Sequence, residues 1–169
     1  MPSFISKKIQ LRKSATHGMG AFAIKKIKKD EKIFDFTDGG GKTVSIKEAK
    51  RIYQKGKIFW MQAGDDAIFI GKKDEEPYAY YMNHSCDPNC GFFEELGIVA
   101  MRDIEPYEEL AIDYAMCNSS DLHLQCSCGS DLCRKVITHS DWKMLELQNR
   151  YKNYFSSYLQ KNIDAKKYE

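Results

Sequence analysis

The chain has 169 residues, 43% hydrophobic and 30% charged, with a formal net charge of +2. That length suits one domain with a real core, and the composition excludes a disordered chain. No run approaches the ~20 apolar residues of a membrane helix, and the opening MPSFISKKIQ lacks the apolar stretch of a secretory signal.

In chain order, KKIQLRKS, GAFAIKK and EKIFDF predict three short strands, from their alternation and their β-branched or aromatic content. TDGGGK (37–42) predicts a loop, because three glycines hold neither strand nor helix together. SIKEAKRIYQKG predicts a helix: Ser45 stands three before Glu48 as a capping box, and Gly56 ends it. DDAIFIG and LGIVAMR predict further strands, and EELAIDY a short one near a site. From Trp142 onward, Trp142, Leu145, Tyr151, Phe155, Tyr158 and Leu159 recur at helical spacing. Residues 141–162 therefore read as one amphipathic helix, its aromatic stripe serving core packing. Many short strands with two helices predict a β-rich α+β domain.

Residues 83–90, NHSCDPNC, crowd polar and metal-capable side chains around one proline, directly after the apolar AYYM. A surface turn explains Asp87-Pro88-Asn89 and nothing more. Downstream, CSCGSDLC places Cys126, Cys128 and Cys133 in a C-x-C-x4-C pattern, with Gly129 allowing a tight turn. Three thiolates are one short of a closed structural zinc site. The fourth donor is open among Cys86, Cys90 and Cys117. An intracellular, reducing setting favours metal ligation over disulfides for the six cysteines. If Cys86 is the donor, the metal closes a loop of about 40 residues, an entropic cost that a zinc–thiolate site offsets. Chelation is then expected to loosen the C-terminal segment first.

Charge is uneven. Residues 1–32 hold nine basic side chains against two acidic, whereas residues 87–113 hold eight acidic against one basic. Solvated faces of opposite sign are the plain reading; an acidic middle that steers a basic peptide is the sharper one. The basic start lacks the interleaved aromatics of a nucleic-acid stacking platform.

Four separated motifs converge. HGMGAFA (17–23), NHSCDPNC, EELAIDY (108–114) and CSCGSDLCRK (126–135) together resemble the SET-domain lysine methyltransferases with a post-SET cysteine segment, over roughly residues 8–137. The resemblance implies small curled β-sheets in which the asparagine-histidine and D-Y segments cross in a pseudoknot, against the usual rule on threaded connections. It divides the chain into a SET domain (1–115), a zinc-bound post-SET segment (116–137) and a C-terminal helical extension (138–169). It implies methyl transfer from S-adenosylmethionine to lysine of a basic protein such as a histone-like tail. His17, Gly18, Met19 and Gly20 would follow the methionine part of the cofactor, where glycine permits close backbone approach. Asn83 and His84 would hold its amino and adenine ends, Phe59 would add an aromatic contact, and Leu124 and Ser127 would close over the adenine. Tyr114 would orient the amine. Cys86, Cys126, Cys128 and Cys133 would hold one structural zinc.

The sequence departs from that pattern in three places. Ile112 stands where the family commonly has phenylalanine or tyrosine, which leans the expectation toward more than one methyl. Tyr80 replaces a frequent arginine, and Lys135 takes the glycine position of C-R-G. The lack of a preceding cysteine-rich segment implies a single zinc. A monomer or weak dimer without membrane contact is expected, nuclear or cytoplasmic in a eukaryote, and cytoplasmic or a secreted effector in a bacterium. The competing readings are a catalytically silent peptide-binding module and a zinc-dependent nucleic-acid binder.

Overall fold

The computed structural model describes residues 4–35, 41–55, 60–71, 78–94, 96–118, 120 and 122–166. Its strands run only two to five residues. Among the described residues they form four small sheets. One is antiparallel, in the order Phe4–Ile5, Lys32–Asp35, Gly97–Ala100, Cys90–Phe93. A second runs Ile9–Lys13, Met19–Ala23, Glu109–Ile112, Asn83–His84. Its last pair is parallel, with Ala111 opposite Asn83 and Ile112 opposite His84. That pairing brings the two distinctive sequence segments side by side.

Residues 41–71 form a small unit on the flank. The strands Lys42–Val44, Ala67–Ile70 and Trp60–Gly64 make its sheet. The helix Ile46–Tyr53 covers that sheet, starting where expected, with Ser45 Oγ accepting from the Glu48 amide at 3.3 Å. Ile46, Ala49 and Ile52 pack on Ile68 and Ile70, the apolar stripe that residues three apart produce on a helix. The fourth sheet pairs His123–Gln125 with Val136–Thr138. Lys42, placed at the end of the predicted loop, begins a strand, while residues 36–40 lie outside the described ones.

The main core gathers Ile27, Ile33, Phe34, Ile98, Ile104 and Leu110, all at or near zero exposure. Trp142, Tyr151, Phe155 and Leu159 join the same cluster and Tyr158 packs against it, as expected, but Leu145, also placed in the stripe, is 69% exposed and Leu147 is buried instead. The single helix over 141–162 is corrected. A 3-10 turn at Asp141–Lys143, a helix at Leu145–Arg150 and a second helix at Ser157–Asp164 stand in its place. The chain breaks where its backbone is used elsewhere: the Phe92 amide donates to the Tyr154 carbonyl at 2.9 Å, and the Ser156 amide donates to the Met116 carbonyl at 2.8 Å. A continuous helix would consume both groups internally and orphan their buried partners. Asn153, at φ 69°, takes the left-handed conformation that the reversal needs, one that asparagine tolerates. Among the described residues no helix is long and apolar enough to cross a membrane.

Candidate active site and metal centre

The residues expected on the cofactor side meet around one amide. Asn83 Nδ2 donates to Glu109 Oε1 at 2.6 Å and lies 3.2 Å from the carbonyls of His17 and Met19. Glu109 Oε2 accepts from Ser14 Oγ at 2.8 Å. The hairpin of residues 14–18 is closed by the Ser14 amide on the Gly18 carbonyl at 2.9 Å, with Gly18 at φ +52°. Gly20 faces this carboxylate so closely that a Cβ would lie 2.2 Å from Glu109 Oε1. Only glycine fits there without displacing Glu109. His17, Gly18 and Met19 are exposed, and a cavity of about 230 Å³ opens beside Thr16, Asn83, His84, Glu109 and Cys128. A larger cavity of about 350 Å³, between Gln62, Ser120, Trp142, Tyr158 and Asn162, has no wall from Asn83, His84 or Tyr114.

His84 links this region to Tyr114. Its Nδ1 accepts from the Tyr114 amide at 3.1 Å, and the two rings lie 5.2 Å apart between centroids. Burial pushes the imidazole down to about 4, with Asp113 opposing and Arg134 assisting. The ring is therefore neutral at pH 7. With Nδ1 accepting, Nε2 carries the proton and faces Cys86 Sγ at 3.3 Å. Both ring nitrogens are engaged within the protein, so His84 offers a ligand its backbone. Tyr114 Oη donates to the Met82 carbonyl at 3.3 Å, and burial raises its pKa beyond the usual phenol range. Ile112 is buried behind this region. Tyr80, at the frequent arginine position, shares a hydrogen bond of 3.2 Å with Tyr53 Oη, which with burial pushes it up to about 12.

Cys86, Cys126, Cys128 and Cys133 bring four sulfurs within 4.8 Å of one another, a group able to hold a metal ion. Cys90 and Cys117, the other two open donors, are buried apart from that group. Burial pushes Cys86 up to about 11 and Cys126 up to about 12. Cys128, despite burial, is held down to about 7 by the backbone amides of Cys86 and Ser130. The Arg134 amide also donates to Cys86 Sγ, at 3.4 Å. Backbone N–H groups aimed at sulfur favour thiolates, the form that binds metal.

The fully buried Asp113 accepts from Arg134 Nη1 and Nη2 at 2.6 and 2.8 Å, from the Ala115 amide at 2.9 Å and from Tyr151 Oη at 3.0 Å. Arg134 Nε continues to Asp141 Oδ2 at 2.9 Å. Sequence reasoning missed Arg134. The available signal was an arginine directly after the last metal-type cysteine. Lys135, beside it, sits at φ 64°, which explains why glycine is common at that position. Leu124 is 42% exposed on the His123–Gln125 strand, and Ser127 is exposed next to Cys126; neither lines the cavity beside Asn83. Phe59 lies outside the described residues.

The family model described as SET domain matches residues 18–115. Rice (Oryza sativa subsp. japonica) histone-lysine N-methyltransferase TRX1 is 34% identical over 151 residues, covering 81% of this chain and 14% of that protein. Histone-lysine N-methyltransferase set1 of Dictyostelium discoideum is 30% identical over 144 residues, 78% of this chain and 9% of that protein. Human histone-lysine N-methyltransferase SETD1B is 28% identical over 144 residues, 79% of this chain and 7% of that protein. The chain thus spans a minor part of each of these relatives. The crystal structure of the methyltransferase domain of human histone-lysine N-methyltransferase SETMAR matches with a TM-score of 0.59 and 19% identity, over 79% of this chain and 59% of that one. That likeness establishes the fold.

Proposed function

The chain belongs to the SET domain family, and from that premise we propose that it transfers methyl groups from S-adenosylmethionine to lysine side chains of a basic protein, a histone-like tail being the leading class. The observation that supports this reading is the parallel pairing of Ala111 and Ile112 with Asn83 and His84, together with the Tyr114 amide on His84 Nδ1 and the Tyr114 hydroxyl on the carbonyl of Met82, the residue before Asn83. When bound, the cofactor supplies a methyl group activated on a sulfonium. Asn83, Gly20 and the His17 and Met19 backbone would hold it beside the cavity that Thr16, Asn83, His84 and Glu109 line, with Glu109, packed on Gly20, bracing the Asn83 amide.

The chain's own part is to orient and to exclude water. Lysine in water has a pKa near ~10.4 and is protonated at pH 7. A partly buried aromatic surrounding disfavours the ammonium and releases the lone pair. Tyr114, kept a neutral phenol by burial and held by the Met82 carbonyl, can orient that amine. Zinc suits the four sulfurs: Zn–S bonds of about 2.3 Å at tetrahedral angles put sulfurs about 3.8 Å apart, and Cys86 and Cys126 stand at 3.9 Å. Residues 116–137 would then act as a post-SET segment. Ile112, lacking a hydroxyl, leans the outcome toward more than one methyl.

The test is incubation of the zinc-loaded protein with labelled S-adenosylmethionine and a panel of basic proteins including histones. Label in lysine of a basic protein supports the reading. Cofactor binding without any label transfer favours a silent peptide-binding module.

A further inference from the structure

One residue, Arg134, spans the distance from the four sulfurs to the turn that carries Tyr114. Its amide, directly after Cys133, donates to Cys86 Sγ at 3.4 Å. Its guanidinium reaches the opposite way, donating to both oxygens of Asp113 at 2.6 and 2.8 Å while Nε holds Asp141 at 2.9 Å. A planar fork fixes a carboxylate in one orientation, which a lysine ammonium does not. Asp113 in turn caps the 3-10 turn Tyr114–Met116: its Oδ1 accepts from the Ala115 amide, and its carbonyl accepts from the Met116 amide, both at 2.9 Å. Asp113 is wholly buried, so its charge has no water to turn to if Arg134 moves away. Tyr151 Oη, 3.0 Å from Asp113 Oδ2 and 3.1 Å from the Cys86 carbonyl, ties the same two places together by a second route.

We infer that Arg134 is a positioning residue that couples metal occupancy of the four-cysteine cluster to the order of the Tyr114 turn, through Asp113. A metal that pins Cys86 and Cys133 fixes the Arg134 backbone between them. The guanidinium then keeps Asp113, and Asp113 keeps the turn. The kinetic consequence rests on the methyltransferase reading; the structural consequence does not.

Hydrogen exchange at the Ala115 and Met116 amides tests this on the full chain, zinc-loaded and after chelation. The Ala49 amide, bonded to the Ser45 carbonyl in the flanking helix, is a control remote from the four cysteines. In the wild type, chelation speeds exchange in the turn about tenfold or more while Ala49 stays protected. Zinc-loaded Arg134→Lys already exchanges fast in the turn, still carries one zinc, and responds little to chelation. A double variant, Arg134→Met with Asp113→Asn, removes the buried charge along with its partner and loses the metal dependence too. On a methylated substrate, Arg134→Lys lowers kcat about a hundredfold while KM moves only a few fold. Turn protection indifferent to chelation, equal acceleration at Ala49, or metal dependence that survives in Arg134→Lys overturns the coupling. Metal-dependent protection in a wild type that methylates nothing upholds the coupling and overturns the methyltransferase reading.

Discussion

Glu109 and Asp113 stand four residues apart on one stretch of chain, yet they are satisfied by opposite means. Glu109 remains half-buried and is held by neutral partners, the Asn83 amide and the Ser14 hydroxyl. Asp113 has no exposure and is held by a guanidinium, a phenol and an amide. The difference teaches where each kind of partner suffices. A carboxylate that water still reaches needs only hydrogen-bond donors, whereas a fully buried one needs a cation with satisfied geometry. The Asn83 side of the site is therefore adaptable, and the side next to the four cysteines is rigid.

The strongest way to break that comparison uses the residue next to Asp113. Tyr114→Phe keeps the turn and its buried ion pair but removes the hydroxyl on Met82. Turnover should fall about 10²–10³-fold with cofactor affinity nearly unchanged by calorimetry; full turnover would remove Tyr114 from the mechanism. Asp113→Ala comes next. It leaves the Arg134 guanidinium, whose side chain is only 13% exposed, with Asp141 as its remaining carboxylate partner, and should cost about 3 kcal/mol in urea unfolding. A loss as small as that at Glu109 would erase the contrast between the two carboxylates.

Glu109→Gln sharpens it from the other side. The amide keeps one acceptor for Asn83 and faces a hydroxyl that can turn, so unfolding should lose only about 1 kcal/mol. Cofactor affinity should weaken a few fold. The smallest effect belongs to Lys135, held left-handed beside the rigid side. Lys135→Gly relieves about 1–2 kcal/mol of backbone strain and adds about 0.5–1 kcal/mol of unfolded-state entropy. A net gain of about 0.5–1 kcal/mol should appear as a raised urea midpoint.

Much of the adaptable side was legible in the chain. HGMG, NHSC and ELAIDY each keep their distinctive residues within a few positions, but the close approach at Gly20, expected from the cofactor, comes from the Glu109 carboxylate. The four sulfurs were legible too, once the resemblance had chosen Cys86 over Cys90 and Cys117. The rigid side was not, because its partners come from separate segments: Arg134 and Asp113 stand 21 residues apart and Tyr151 and Asp113 stand 38 apart. No local pattern encodes such a meeting. The C-terminal stripe misled for a related reason. Tyr151, Phe155 and Leu159 keep helical spacing and are all buried, but the backbone between them leaves the helix to serve Phe92 and Met116. Periodicity reports which faces are apolar and says nothing of a carbonyl recruited by another strand.

The chain separation behind the Tyr151 bond to the Cys86 carbonyl, 65 residues, also sets a timetable. At ribosomal speeds of about 5–20 residues per second, that bond waits roughly 3–13 s after Cys86 is polymerised. Through that interval the Cys86 carbonyl has no phenol to donate to it, so the bond that ties it to the buried Asp113 is made only when the last aromatic residues arrive.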